Sequence, residues 1–351
     1  MNKGVRIAEI ELLRVVAAVA VLLYHMSILP GGYLAVEYFA VLSGLLMARG
    51  VKLKPGAGMR NVAQDTGIYI FKKIKVFYPE LLVATCLGLL SFNYAKHSVN
   101  YSLQYIFHSI TGNLFLLKMT DGAWALSSTV PPAWYLSSMV ISMLLIYPFL
   151  CRIKKYFFFI LGSLLMSYMV FNVGGVGSKY VDKWLTFAYI GNIRICSEFL
   201  IAIGLSPLTG ILEKLMTGRQ YVFQVLNAVR YACLAVLLLL YFYEQTITDV
   251  AFLVLALIYL IITFACADAS KINDASCYAR RARYCSMVSI AIFLSHSPAL
   301  CISGGIAKRL SVSGSVNIFL NLLVTAAFVL LTIYGAKKIR LFFGHCVKKV
   351  A

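Results

Sequence analysis

Residues 14–44 read RVVAAVAVLLYHMSILPGGYLAVEYFAVLSG, and the fold reading follows from them. Two apolar segments flank the turn Pro30-Gly31-Gly32, and four polar side chains, Arg14, His25, Glu37 and Ser43, lie inside them. A polar group in hydrocarbon is costly unless paired or hydrated, so each of the four marks a candidate functional position. Arg14 and His25 are eleven residues apart, which places them on one helix face at an axial separation of about 16 Å. His25 lies six residues before Gly31 and Glu37 six residues after it. In a tight helical hairpin the imidazole and the carboxylate are therefore expected at similar depth, within reach of each other.

The composition extends that reading to the whole chain. Of 351 residues, 61% are hydrophobic and 13% charged, and the mean hydropathy is +0.84. These values describe a polytopic membrane protein with one helical bundle and exclude an ordinary soluble domain. The formal charge of +19 does not indicate nucleic-acid binding, because the bases fall in clusters between apolar runs. Nine cysteines without CxxC spacing read as small apolar packing residues, so neither a disulfide framework nor a metal site is expected. The first apolar run is interrupted by Arg14 and is expected to stay as a span.

Crossing about 30 Å of hydrocarbon takes roughly 17–25 apolar residues. Ten runs qualify, at about 7–28, 33–49, 77–95, 133–151, 156–174, 192–212, 221–243, 248–268, 285–304 and 315–339. Segment 101–118 is apolar but studded with polar residues, and it reads as a re-entrant or interfacial helix. Ten spans put both termini on one side. With those termini cytoplasmic, 23 of the 32 Lys and Arg residues fall in inside segments and six in outside loops, the distribution that the positive-inside rule demands. The expected architecture is an all-α, polytopic transmembrane bundle of about ten spans in the plasma membrane. It has cytoplasmic termini, a single domain over residues 1–351, and a basic cytoplasmic loop from Arg49 to Lys75.

Several groups carry chemistry in this frame. A neutral imidazole beside a carboxylate acts as general base, with the carboxylate fixing its tautomer, so His25 and Glu37 are the candidate catalytic pair. The guanidinium of Arg14, nearer the cytoplasm, suits a phosphate or a carbonyl. The alternative is a structural polar network joining two helices. Lys72, Lys73 and Lys75, ahead of Tyr78-Pro79, form either a positive-inside anchor or a basic mouth for a polyanionic cytosolic donor. Trp134 at the outer edge of the fourth span is an aromatic-belt residue or a sugar-stacking platform. Arg194 and Glu198 are spaced i,i+4 and are expected to pair, whether for structure or for acceptor binding. In SIAIFLSHSPAL (289–300), Pro298 breaks the hydrogen-bond ladder beside Ser295, His296 and Ser297, which favours a pocket over a tolerated kink.

Taken in order, these segments resemble the acyltransferase-3 family of integral-membrane acyltransferases. Arg14…His25 is similar to its Arg-x10-His motif, and GGYLAVEYFAVLSGLLM (31–47) to its Gly-Val-Asp/Glu-Phe-Phe-Val-Leu-Ser-Gly-Phe block. FKKIKVFYP (71–79) stands where the family has an Arg-rich run ending in Pro. WYLSSMVISMLLIYP (134–148) resembles its Trp-x-Leu…Tyr-Pro span, and SIAIFLSHSP (289–298) its late Ser-x-x-x-Tyr-Leu-x-His segment. Lysines replace the usual arginines at 72–75, Ala35 replaces a Gly, and Ala40 replaces a Phe.

The resemblance implies an O-acyltransferase of the stand-alone type, without an SGNH esterase-like domain. Such an enzyme moves an acyl group, commonly acetyl from acetyl-CoA, onto hydroxyls of a cell-surface polysaccharide, an O-antigen or a lipid-linked sugar. It implies no permanently bound cofactor, with acyl-CoA as donor substrate. By the same resemblance His25 is the base or a transient acyl carrier and Glu37 supports it. Arg14 contacts the donor, and Ser43 and His296 line the pocket. Two other readings stay open: a sugar-lipid transporter or flippase, which also uses membrane-buried Arg, Glu and His, and the same fold with a succinyl donor or a small-molecule acceptor.

Overall fold

The structure, a computed structural model, describes residues 7–51, 58–95, 103–120, 129–174, 181–244, 246–269 and 277–350. All ten apolar runs are helical over most of their length, as backbone in lipid must be to satisfy its own N–H and C=O groups. In chain order the helices are α1 (Ala8–His25), α2 (Ala35–Gly50), α3 (Met59–Ala95), α4 (Leu103–Leu114), α5 (Ala133–Ile146) and α6 (Lys155–Val173). They continue as α7 (Ile190–Leu205), α8 (Pro207–Met216), α9 (Gln220–Leu240), α10 (Thr246–Ala269), α11 (Cys277–Arg309) and α12 (Gly314–Val350). Among the described residues the only strands are Trp184–Leu185 and Ala188–Tyr189, which pair antiparallel as a short hairpin.

Among the described residues, seven helical segments are long and apolar enough to cross a bilayer. Helices α1, α2 and α5 fall outside that set: α2 has 16 residues and α5 has 14, while α1 carries Glu9, Glu11 and Arg14. Helix α4, with 12 residues, rises roughly 18 Å, well short of the hydrocarbon thickness.

Helix ends depart from the sequence reading in four places. The expected loop from Arg49 to Lys75 is helical from Met59 onward, because nothing between Met59 and Pro79 breaks a helix and the apolar pattern marks only the membrane portion. Helices α11 and α12 likewise run past their apolar stretches, to Cys277 at one end and Val350 at the other. The expected run 192–212 is divided at Ser206, where Pro207 takes the first position of α8.

The chain forms two compact units. One comprises Met1–Glu11, Leu29–Ile70 and Ser138–Ala282, and the other Leu12–Ile28, Phe71–Ser137 and Arg283–Ala351. In the first unit Gly31 donates its N–H to the Tyr241 carbonyl at 2.8 Å. A Cβ at that position would stand 2.9 Å from the same oxygen, so the approach requires glycine. Gly44 lets α2 lie against Phe199 and Ala202 of α7, and Gly162 and Gly204 let α6 and α7 cross closely. Helix α10 is the most interior of the long spans, whereas α6, α9 and α12 turn apolar side chains such as Phe171, Leu239 and Leu330 outward. Such faces suit lipid.

Side-chain contacts fix the relative directions of helices within each unit. In the first, Glu37 and Gly44 of α2 meet Arg194 and Phe199 of α7 in the same order, so α2 and α7 run parallel. Tyr33 with Asp249, then Arg49 with Asp268, make α2 and α10 parallel as well. In the second unit Arg14 with Ser286 and His25 with His296 make α1 parallel to α11. Ser91 with Cys301, then Tyr94 with Arg309, make α3 parallel to α11. Val83 against Gly335 and Glu80 with Arg340 make α3 antiparallel to α12.

Candidate active site

The histidine cluster is assembled in the second unit from α1 and α11. Helix α1 presents Arg14 and His25 on one face, with the fully buried Ala17 and Ala18 between them. Small residues of this kind let a neighbouring helix approach closely. Helix α11 answers with Ser286 and His296, ten positions apart and so separated by about 15 Å along its axis. Arg14 Nη1 donates to Ser286 Oγ at 3.4 Å. The His25 and His296 rings stack with centroids 5.1 Å apart and planes 24° apart. Phe293 sits 6.3 Å from His296 and takes the Tyr135 ring edge-on at 5.8 Å, so an aromatic row backs the pair.

The two imidazoles differ in environment. His25 closes α1 and is exposed there. His296 is 0% exposed, and its Nδ1 lies 3.2 Å from the Ile292 carbonyl oxygen. A carbonyl only accepts, so Nδ1 carries the hydrogen and the neutral ring keeps its lone pair on Nε2. That Nε2 is buried and has no hydrogen-bond partner among the described residues.

The first unit holds a separate charged cluster. Arg194 on α7 forms ion pairs with Glu37 of α2 and with Glu198, the latter at 3.4 Å across one helical turn. All three side chains are fully buried. The i,i+4 pairing expected from the sequence is therefore present, and Glu37 joins it as a third member. Nearby in sequence, Ser138 Oγ donates to Asn192 Oδ1 at 2.8 Å. His25 and Glu37 belong to different units, each with the neighbours described here.

The remaining sequence candidates are spread over these elements. Ser43 is half-buried on α2, Lys72 and Lys75 are exposed on α3 with Lys73 half-buried, and Trp134 is half-buried in the first turn of α5. Four partners were not singled out from sequence. Ser286 holds Arg14, and Asp249 accepts from the Tyr33 hydroxyl at 2.5 Å. Glu9 meets Arg230 at 3.4 Å and the Tyr259 hydroxyl at 2.9 Å. Glu80, buried beside Pro79, receives Arg340 at 2.6 Å on both carboxylate oxygens. An acid inside an apolar run is itself the signal, and it applies to both Glu80 and Asp249.

The stacked imidazoles of His25 and His296 and the guanidinium of Arg14 on the same face of α1 are groups that can serve proton transfer and charge stabilisation. The chain is a member of the acyltransferase-3 family, whose sequence model, described as an acyltransferase domain, matches residues 7–336. No curated protein and no solved structure matches it.

Proposed function

We propose that this protein is an inner-membrane O-acyltransferase. It moves an acyl group, acetyl foremost, from cytosolic acyl-CoA onto a hydroxyl of a surface polysaccharide, an O-antigen or a lipid-linked sugar. The observation that carries the reading is the pair of contacts linking α1 and α11, the Arg14–Ser286 hydrogen bond and the His25–His296 ring stack, in a chain of this family. One end supplies a fixed cation for the donor's thioester carbonyl or phosphates, and the other supplies imidazole for acyl transfer. Lys72, Lys73 and Lys75 are the basic mouth for the anionic part of the donor.

Helix direction supports the ten-span topology with both termini on one side, and the positive-inside rule makes that side the cytoplasm. The pairs α1–α11, α2–α7, α2–α10, α3–α11 and α3–α12 all straddle segment 101–118 in sequence. Their parallel or antiparallel senses agree with strict alternation of ten spans. A further crossing by 101–118 would reverse every one of them. Coenzyme A stays in the cytoplasm, so this orientation carries the acyl group toward an acceptor on the far side.

The test is radiolabel transfer from acetyl-CoA into the glycan fraction of membranes, comparing wild type with His25→Ala and checking insertion by immunoblot. Label in wild type and its loss in a well-inserted variant is the expected result. Equal labelling refutes the role of His25, and no label in either refutes the donor or the acceptor.

A further inference from the structure

We propose that His296 is a second catalytic base, taking the proton of the acceptor hydroxyl while His25 carries the acyl group between donor and acceptor. The inference rests on the acyl-transfer reading above and divides the labour of that site. Three observations lead to it. The rings stack at 24°, and stacked rings direct their nitrogens in their own planes, so the pair is not built as a hydrogen-bonded proton relay and each imidazole serves a different atom. His25 is accessible, as a nucleophile that meets an incoming thioester must be. His296 is fully buried, and its Nδ1 hydrogen on Ile292 leaves Nε2 as a bare, unpartnered acceptor. A buried lone pair without a partner is costly to maintain, and a substrate O–H would satisfy it.

The chemistry balances without any further reactant. A bare ring nitrogen of His25 attacks the thioester carbonyl, the C–S bond breaks, and coenzyme A leaves as thiolate, giving a cationic acyl-imidazole. The acceptor oxygen then attacks the acyl carbon while its proton passes to His296 Nε2. The C–N bond breaks and its electron pair returns to His25. The proton on His296 is released and the thiolate is protonated, so the sum is thioester plus alcohol giving ester plus thiol.

Two partial reactions separate this assignment from the broader one. Exchange of tritiated coenzyme A into acetyl-CoA, without acceptor, needs only His25. Transfer of radiolabelled acetyl to the membrane glycan fraction needs both residues. His296→Asn keeps a donor for the Ile292 carbonyl but deletes the Nε2 position, and His296→Phe keeps the aromatic stack but no nitrogen. Both variants, normalised to inserted protein, are expected to keep exchange within about threefold of wild type while transfer falls by about 100-fold or more. His25→Ala is expected to lose both. Transfer near wild type in either His296 variant overturns the proposal, since stacking or the Nδ1 bond then accounts for the residue. Loss of exchange in both variants overturns it too, because the residue then supports the whole site. Wild-type transfer without exchange refutes the division of labour and leaves acyl transfer standing. Neither exchange nor transfer in wild type refutes the acyltransferase reading itself.

Discussion

Replacing Arg194 by Met separates a structural charge cluster from an acceptor-binding one. In the native protein one guanidinium is held by two carboxylates, Glu37 and Glu198, with no solvent exposure at any of the three. Removing the cation leaves two facing carboxylates in a dry interior, a change that costs about 3–5 kcal/mol. At about 2 °C per kcal/mol for a chain of this size, the thermal midpoint should fall by roughly 6–10 °C. The triple variant Glu37→Gln, Arg194→Met, Glu198→Gln removes the charges together and should recover most of that loss, as neutral replacement of a buried ion cluster commonly does. The assay is fluorescence-detected size-exclusion chromatography of detergent-solubilised protein after heating at one fixed scan rate, since membrane proteins often unfold irreversibly. A shift below about 2 °C for Arg194→Met, or a triple variant no better than the single one, would refute the reasoning. An unshifted midpoint with lost acyl transfer would instead place the cluster in acceptor binding.

Orientation is checked by fusions. Alkaline phosphatase joined after Gly174 should be active, and green fluorescent protein joined after Gly218 or at the C-terminus should fluoresce; the reverse pattern would invert the topology. Arg340→Gln strips Glu80 of its cation at the α3–α12 contact. Because the Arg340 side chain is 35% exposed, water screens the pair and the expected cost is only about 1–2 kcal/mol, with Arg340→Lys recovering part of it in the same heating assay. Gly44→Val would set a branched side chain where a single Cβ already comes within 2.9 Å of the Ala202 Cβ. It should cost about 1–3 kcal/mol, read as a lower midpoint, whereas Gly210→Val, with nothing near it, should be close to neutral by comparison.

What the sequence made legible follows from the range of each interaction. The apolar runs predicted helices because hydrocarbon leaves the backbone no other partner. Arg14 and His25 could be placed on one face, and Arg194 and Glu198 paired, because helical spacing alone relates residues on a single helix. Polar extensions such as 59–76 were not legible as helix, since their residues permit a helix without any apolar pattern to mark it. The partners across helices were out of reach. Ser286 meets Arg14 across a separation of 272 residues, and Arg194 meets Glu37 from another helix. Spacing along the chain says nothing of the helix that Glu37 faces, and so could not anticipate the guanidinium that holds it.

The distance along the chain between Arg14 and Ser286 also constrains how the protein is made. Synthesis proceeds at about 5–20 residues per second, so the 272 residues between them take roughly 14–54 s to emerge. Throughout that interval the first helix is already at the membrane, carrying a guanidinium whose serine partner has yet to leave the ribosome. The contact between Arg14 and Ser286 therefore closes only after the ninth apolar run has arrived. Packing of α1 against α11 is thus a late event in biogenesis, completed only after most of the chain has been made.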